Sequence, residues 1–239
     1  MKIAVISDIH ANLEALKTAL TYIQSQPIEQ IICLGDVVGY GPRPNECVEF
    51  VRESCAHCLM GNHDHAVLGL TDVYYFNEYA REAVLWSRDQ LTPANTAYLD
   101  NLPFTHEVGN ILFVHSSPQQ PDEWHYIFYD HEARQNLDQI RQRLVFVGHS
   151  HIPTVYSYNE GEFLQERFLL DLKNDRYIVN VGSIGQPRDG NPKACFVIYD
   201  TDSALLEYVR LEYPVKVTYQ DIIDRQLPAF LAMRLLSGH

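Results

Sequence analysis

Short apolar runs alternate with helical periods through the first part of the chain. Ile3, Ala4, Val5 and Ile6 form an unbroken apolar run of the kind that makes a buried strand. Asn12 is placed to cap a helix whose Leu13, Leu16, Leu20 and Ile23 fall on one face. Residues 31–34 repeat the strand pattern, 45–54 follow a proline-containing loop as a second helix, and 58–60 read as a third strand. Strand–helix–strand–helix–strand predicts right-handed crossovers and parallel pairing. Further on, 77–91 is amphipathic, and Thr92-Pro93 has the form of an N-cap followed by proline in the first turn. Tyr74, Tyr75, Phe76 and Tyr79 are spaced as in a helix packing onto a core, with a lid or partner surface as the other reading.

Strands are predicted at 104–108 and 111–114 across Gly109-Asn110, then a helix at 130–140 and a strand at 144–147. From 154 to 213 strand patterns dominate, with Glu160-Gly161 as a hairpin turn. Two short helices split by Pro228 end the sequence and are predicted to cover a sheet face. With no internal repeat or linker, the strand-rich second half predicts a second sheet in the same α/β domain, spanning 1–239.

Composition narrows the function classes. Of 239 residues, 46% are hydrophobic and 21% charged, the balance of a globular chain. A formal charge of −13 opposes sequence-independent binding to long DNA or RNA, which depends on Lys and Arg neutralising phosphates. A small phosphorylated substrate is still compatible, because a local metal site inverts the sign of the field. Five scattered cysteines read as reduced thiols in a cytoplasmic protein, and Cys55 and Cys58 have no second pair with which to build a zinc knuckle. No apolar run approaches membrane-spanning length, and the stretch before Asp8 is too short for a signal peptide, so no membrane partner is expected. The pattern does not specify an oligomeric state.

Histidine is the outlier, with eleven residues. Five strand candidates each run into a residue able to bind a metal: Asp8 and His10 after the first, Asp36 after the second, Asn62 after the third, then His115, then His149 and His151. In open α/β sheets ligands bind beyond the carboxyl ends of the strands, so these side chains are expected to converge on one rim. Seven N and O donors exceed one tetrahedral site and suit two adjacent ions sharing a carboxylate. The absence of thiolates favours manganese, iron, zinc, cobalt or nickel over a structural zinc site. His57, His106, His125, His131 and His239 stand outside these motifs and read as structural.

In this order the motifs resemble those of the calcineurin-like metallophosphoesterases: DxH (Asp8, His10), GDxxG (residues 35–39), GNHD (61–64), the lone His115, and GHxH (148–151). Residues 180–188 are similar to the NPGSxxxPR loop of the family's small bacterial and archaeal branch, and the C-terminal tail is similar as well. The resemblance implies a four-layer α/β/β/α sandwich of two mixed sheets. It implies two divalent ions, manganese foremost, with Asp8, His10 and His151 on one, Asn62, His115 and His149 on the other, and Asp36 between them. It further implies hydrolysis of a phosphodiester, small nucleotide or phosphomonoester by a metal-bridging hydroxide, with His63 protonating the leaving oxygen and Asp64 orienting His63. Arg188 is expected to clamp the phosphoryl group, and Asn12, Tyr40 and His65 to line the pocket. GDxxG stands where the protein Ser/Thr phosphatases carry GDxxDRG, and GNHD where they carry GNHE, which argues against a phosphoprotein substrate. Ser150 and Val181 depart from commoner residues of the family without removing a ligand. Two other classes are compatible with the fold: a non-catalytic scaffold, as in the retromer subunit of this fold, and a nuclease acting on single strands. The intact donor set disfavours the first, and the charge and lack of a basic tract the second.

Overall fold

The computed structural model covers Met1–His239. Chain order begins β1 (Lys2–Ile6), α1 (Leu13–Gln24), β2 (Gln30–Cys33), α2 (Pro44–Ser54), β3 (His57–Cys58) and α3 (Asn62–Val67). It continues with α4 (Glu78–Gln90), α5 (Pro93–Asp100), β4 (Thr105–Val108), β5 (Ile111–Val114), α6 (Asp130–Gln139) and β6 (Leu144–Val147). The strand-rich part is β7 (Thr154–Ser157), β8 (Gly161–Phe163), β9 (Arg167–Leu169), β10 (Tyr177–Asn180), β11 (Ala194–Asp200) and β12 (Leu205–Leu211), followed by α7 (Val215–Asp224) and α8 (Ala229–Ser237).

Two mixed six-stranded sheets result, in the orders β3-β2-β1-β11-β12-β9 and β4-β5-β6-β10-β7-β8. β1, β2 and β3 pair in parallel as the alternation predicts, and β5, β6 and β10 form the parallel part of the second sheet. The strands are apolar on both faces because both faces are covered. In β1, Ile3 and Val5 face the second sheet and join Phe113, Phe146, Val179 and Tyr199 in the inter-sheet core. Ala4 and Ile6 alternate to the outside, where Leu16, Leu20 and Ile23 of α1 and Val48 and Val51 of α2 cover them. On the far side, Ala133 and Leu137 of α6 cover Val145, Val147 and Ile178. This is the expected α/β/β/α order of layers.

Several predicted elements shift for identifiable reasons. The third strand ends at Cys58, yet Leu59 and Met60 stay buried as the chain runs on toward the site. α3 has no counterpart in the sequence reading, because six residues are too few to show a helical period. α7 and α8 do not cover a sheet. They pack with Ala80 and Ala83 of α4 and with Tyr40, walling one side of the loops that follow β1 and β2. Residues Val73–Tyr75 form a single 3₁₀ turn rather than a core helix; Phe76 packs inward, while Tyr74 and Tyr75 are 81% and 88% exposed.

Candidate metal centre

Asp8, His10, Asp36, Asn62, His115, His149 and His151 all lie just past the carboxyl ends of β1, β2, β3, β5 and β6, and all are buried. Their backbones are held in an unusual state. Asp8, His10, Asp36, His149 and His151 have φ between 48° and 66°, the left-handed region that costs a non-glycine residue about 1–2 kcal/mol. Strain of this kind persists only where the surroundings over-determine it, and it is concentrated at functional sites. Gly61 makes the close approach workable: a Cβ there would collide with the Asp36 backbone nitrogen and carboxylate.

The donor atoms fall into two groups. Asp8, His10, Asp36 and His151 form one, and Asp36, His115 and His149 the other, each with its ligand atoms within 4.8 Å of one another. Asp36 is common to both. Its Oδ2 lies 3.5 Å from His10 Nε2 and 3.5 Å from His115 Nε2, while its Oδ1 accepts the His63 backbone N–H at 2.8 Å. Asn62 Oδ1 lies 3.3 Å from His115 Nε2, on the second group's side.

Hydrogen bonds behind the rings fix their tautomers. His10 Nδ1 donates to the Val38 carbonyl at 3.1 Å and His151 Nδ1 to the Gln186 carbonyl at 2.6 Å, so each Nε2 carries a lone pair when the ring is neutral. Those two Nε2 atoms nevertheless face each other at 3.0 Å. His149 is pinned the opposite way, its Nε2 donating to the Trp124 carbonyl at 2.9 Å and leaving Nδ1 free. Asp8 Oδ1 is buried without a hydrogen-bond partner, 3.2 Å from His151 Nε2. Lone pairs crowded against a buried, unpartnered carboxylate oxygen are costly unless a cation lies between them. The residues present therefore fit divalent metal ions.

The electrostatics of the metal-free cluster point the same way. Burial favours the neutral acid at Asp8 and Asp36, yet His151 beside Asp8 and His115 beside Asp36 hold both carboxyls below their usual range. Burial alone would lower His115, but Asp36 outweighs it and raises it to about 9. Burial pushes His149 down to about 3, with repulsion from His115 adding to it, and His63 down to about 4 against the pull of Asp36.

Around this cluster the remaining predicted residues divide. The Tyr40 ring lies 4.4 Å from the His63 ring, tilted by 49° to it, and its hydroxyl accepts from Arg188 Nη2 at 3.3 Å. Arg188 also donates to Gln186 Oε1 at 2.8 Å, which holds the guanidinium at the edge of the site. His65 hydrogen-bonds Thr71 through Nδ1 and, with Tyr40, Asn62, His63 and His149, lines an open cleft of about 610 Å³ leading to the cluster.

Two expectations need correction. Asp64 does not orient the His63 ring: its carboxylate accepts the backbone N–H groups of Val37, Val38 and Gly61, and His63 Nδ1 is buried without a partner. Asp64 thus fastens the Asp36 loop to the start of α3. Burial and the Asp36 charge push it up to about 7 against those amides. Nor is Asn12 free for substrate. Its amide donates to the Gly185 carbonyl and the Tyr213 hydroxyl, and its oxygen accepts from the Ala15 N–H and the Thr218 hydroxyl, which exhausts its capacity. Sequence reasoning missed Trp124 and Tyr126. Tyr126 stacks at 3.9 Å on His149, and the aromatic run at 124–129 was the available signal.

Residues 1–204 match the model of the calcineurin-like phosphoesterase superfamily domain. The chain belongs to that superfamily. An uncharacterized protein of Methanocaldococcus jannaschii is 43% identical over 99% of this chain and 98% of its own length. The crystal structure of a metallophosphoesterase from Sphaerobacter thermophilus matches at a TM-score of 0.90 and 38% identity, covering 100% of this chain and 99% of that one. A hypothetical protein from Pyrococcus horikoshii shares the fold at a TM-score of 0.80 and 20% identity, with 100% and 98% coverage. Family and fold neighbours place this phosphoesterase domain among metal-dependent hydrolases, and its buried Asp/His cluster is suited to metal.

Proposed function

We propose that the chain is a binuclear metal-dependent phosphoesterase acting on small phosphorylated substrates, phosphodiesters or small nucleotides foremost, in the cytoplasm. The observation that carries this reading is Asp36 Oδ2 standing 3.5 Å from a histidine nitrogen of each donor group. On this reading Asp8, His10, Asp36 and His151 hold one ion, and Asp36, Asn62, His115 and His149 the other. Manganese is the first choice, with iron, zinc, nickel or cobalt as the other ions such donors accept. When bound, the ions supply Lewis acidity and a water ionised at neutral pH.

The chain's own residues supply the rest. The pinned tautomers present lone pairs without reorganisation, which keeps the cluster rigid. Arg188 offers a planar fork to the phosphoryl oxygens, pre-aimed by Gln186 and Tyr40. His63, held neutral in the metal-free site, passes a proton to the leaving oxygen once the negative charge of a bound phosphoryl group beside it draws one onto the ring. Its ring is fixed by Tyr40 on one side and by its own backbone N–H on Asp36, and with Nδ1 enclosed, Nε2 is its working nitrogen.

The test is a substrate panel on metal-free protein reloaded separately with Mn²⁺, Fe²⁺, Ni²⁺ and Zn²⁺. Turnover of bis-p-nitrophenyl phosphate, nitrophenyl phosphate or mononucleotides, with little dependence on salt, is the expected result. A fully reloaded protein inert on all of them returns the reading to a scaffold. Cleavage confined to single-stranded oligonucleotides with steep salt dependence makes it a nuclease.

A further inference from the structure

The cleft beside the donor cluster has a composition that the metal chemistry does not explain. Its volume of about 610 Å³ lies within the roughly 300–1,000 Å³ usual for ligand sites. Two of its wall residues carry largely uncovered apolar surface, Tyr75 at 88% and Leu70 at 56% exposed, while Tyr126 is stacked between His149 and Phe128. Trp124 is half-buried on the same wall, held in the left-handed region at φ 57° with its carbonyl on His149. No lysine or arginine lines the cleft, whereas three acidic residues, Asp72, Asp122 and Glu123, do.

Exposed aromatic faces beside a reaction centre offer stacking to a flat ring, and carboxylates accept hydrogen bonds from amino groups while repelling anions. We propose that this cleft is the subsite for the nucleobase of a nucleotide ester, stacked on the Trp124 and Tyr75 rings, and that it selects against substrates whose distal arm bears a further phosphate. The proposal deepens the phosphoesterase reading and rests on it only in seating the ester on the donor cluster. Because Trp124 pins His149 through its backbone carbonyl, side-chain truncation removes the stacking surface and retains the group that holds the ring.

Two arms test it. Trp124 is one of two tryptophans, so the Trp86→Phe protein makes it the single reporter. In metal-free protein, adenosine should quench that fluorescence saturably, choline should not, and ADP should bind more weakly than adenosine. In Mn²⁺-loaded protein without any substitution, kcat/KM for thymidine 5′-p-nitrophenyl phosphate should exceed that for methyl p-nitrophenyl phosphate by about tenfold or more, the scale of base–aromatic stacking. Trp124→Ala should collapse that ratio toward one. Quenching by choline as strong as by adenosine, tighter binding of ADP, or equal kcat/KM for the two esters overturns the proposal. Adenosine quenching without hydrolysis of either ester overturns the phosphoesterase reading instead and leaves the nucleobase subsite standing. Hydrolysis of both at equal rates does the reverse.

Discussion

At the scale of the residue, Asp36 and His63 separate holding a metal from doing chemistry. Asp36 Oδ2 faces both donor groups, so Asp36→Asn removes the one charge they share. Its metal affinity is expected to fall by more than about a hundredfold, beyond what the loss of an outer-shell partner costs. Equilibrium dialysis against Mn²⁺ measures it, and wild-type affinity in the variant would remove Asp36 from the site. His63→Ala should keep its metal while losing about 10²–10⁴-fold in turnover, most for substrates with poor leaving groups. Metal loss in that variant, with activity restored by added Mn²⁺, would make His63 a ligand.

Among the elements, the strands carried most of what was legible in the sequence. Apolar runs such as Ile3–Ile6 are local, and each ended in a recognisable motif, so the rim of donors could be read without tertiary information. Thr92-Pro93 was equally local: Thr92 Oγ1 accepts the Asn95 N–H at 3.3 Å, and α5 begins at Pro93. The failures are long-range. Asn12 was legible as a cap, but its bonds to Gly185, Tyr213 and Thr218 join residues about two hundred positions away, and no spacing rule encodes them. Asp64 was misread for the same reason, since its partners Val37 and Val38 lie on another loop. A consequence follows for α1. Asn12→Ala should cost at least the 1–2 kcal/mol or so of a lost cap, at about 2–4 °C of Tm per kcal/mol for a chain of this size. Thermal unfolding together with KM checks this, because KM should stay unchanged if Asn12 only ties loops together. A raised KM at unchanged Tm would restore it to the substrate pocket.

For the whole molecule, the buried histidines set how stability depends on pH in the absence of metal. His63 and His149 fall from the ordinary 6.5 to about 4 and about 3, so between roughly pH 4 and 6.5 the unfolded chain binds protons that the native one does not. Stability contributed by these groups is present above 6.5 and is lost as the pH falls through that window. His115 has the opposite sign. Raised to about 9, it stabilises the metal-free fold fully below 6.5, and that contribution is lost as pH rises to about 9. Denaturation midpoints of metal-free protein should therefore peak near neutrality. Since a ligand histidine must shed its proton, Mn²⁺ affinity should climb over the alkaline side of the same range. A flat profile between pH 4 and 9 would contradict both statements.

All of this depends on the two donor groups meeting at Asp36. The most direct measurement is elemental analysis of metal-free chain reloaded with Mn²⁺ and freed of excess ion, beside Asp36→Asn treated identically. Two equivalents per unaltered chain and a clear loss in the variant are predicted. No more than trace manganese in the unaltered chain, or the same content in both, would contradict the account.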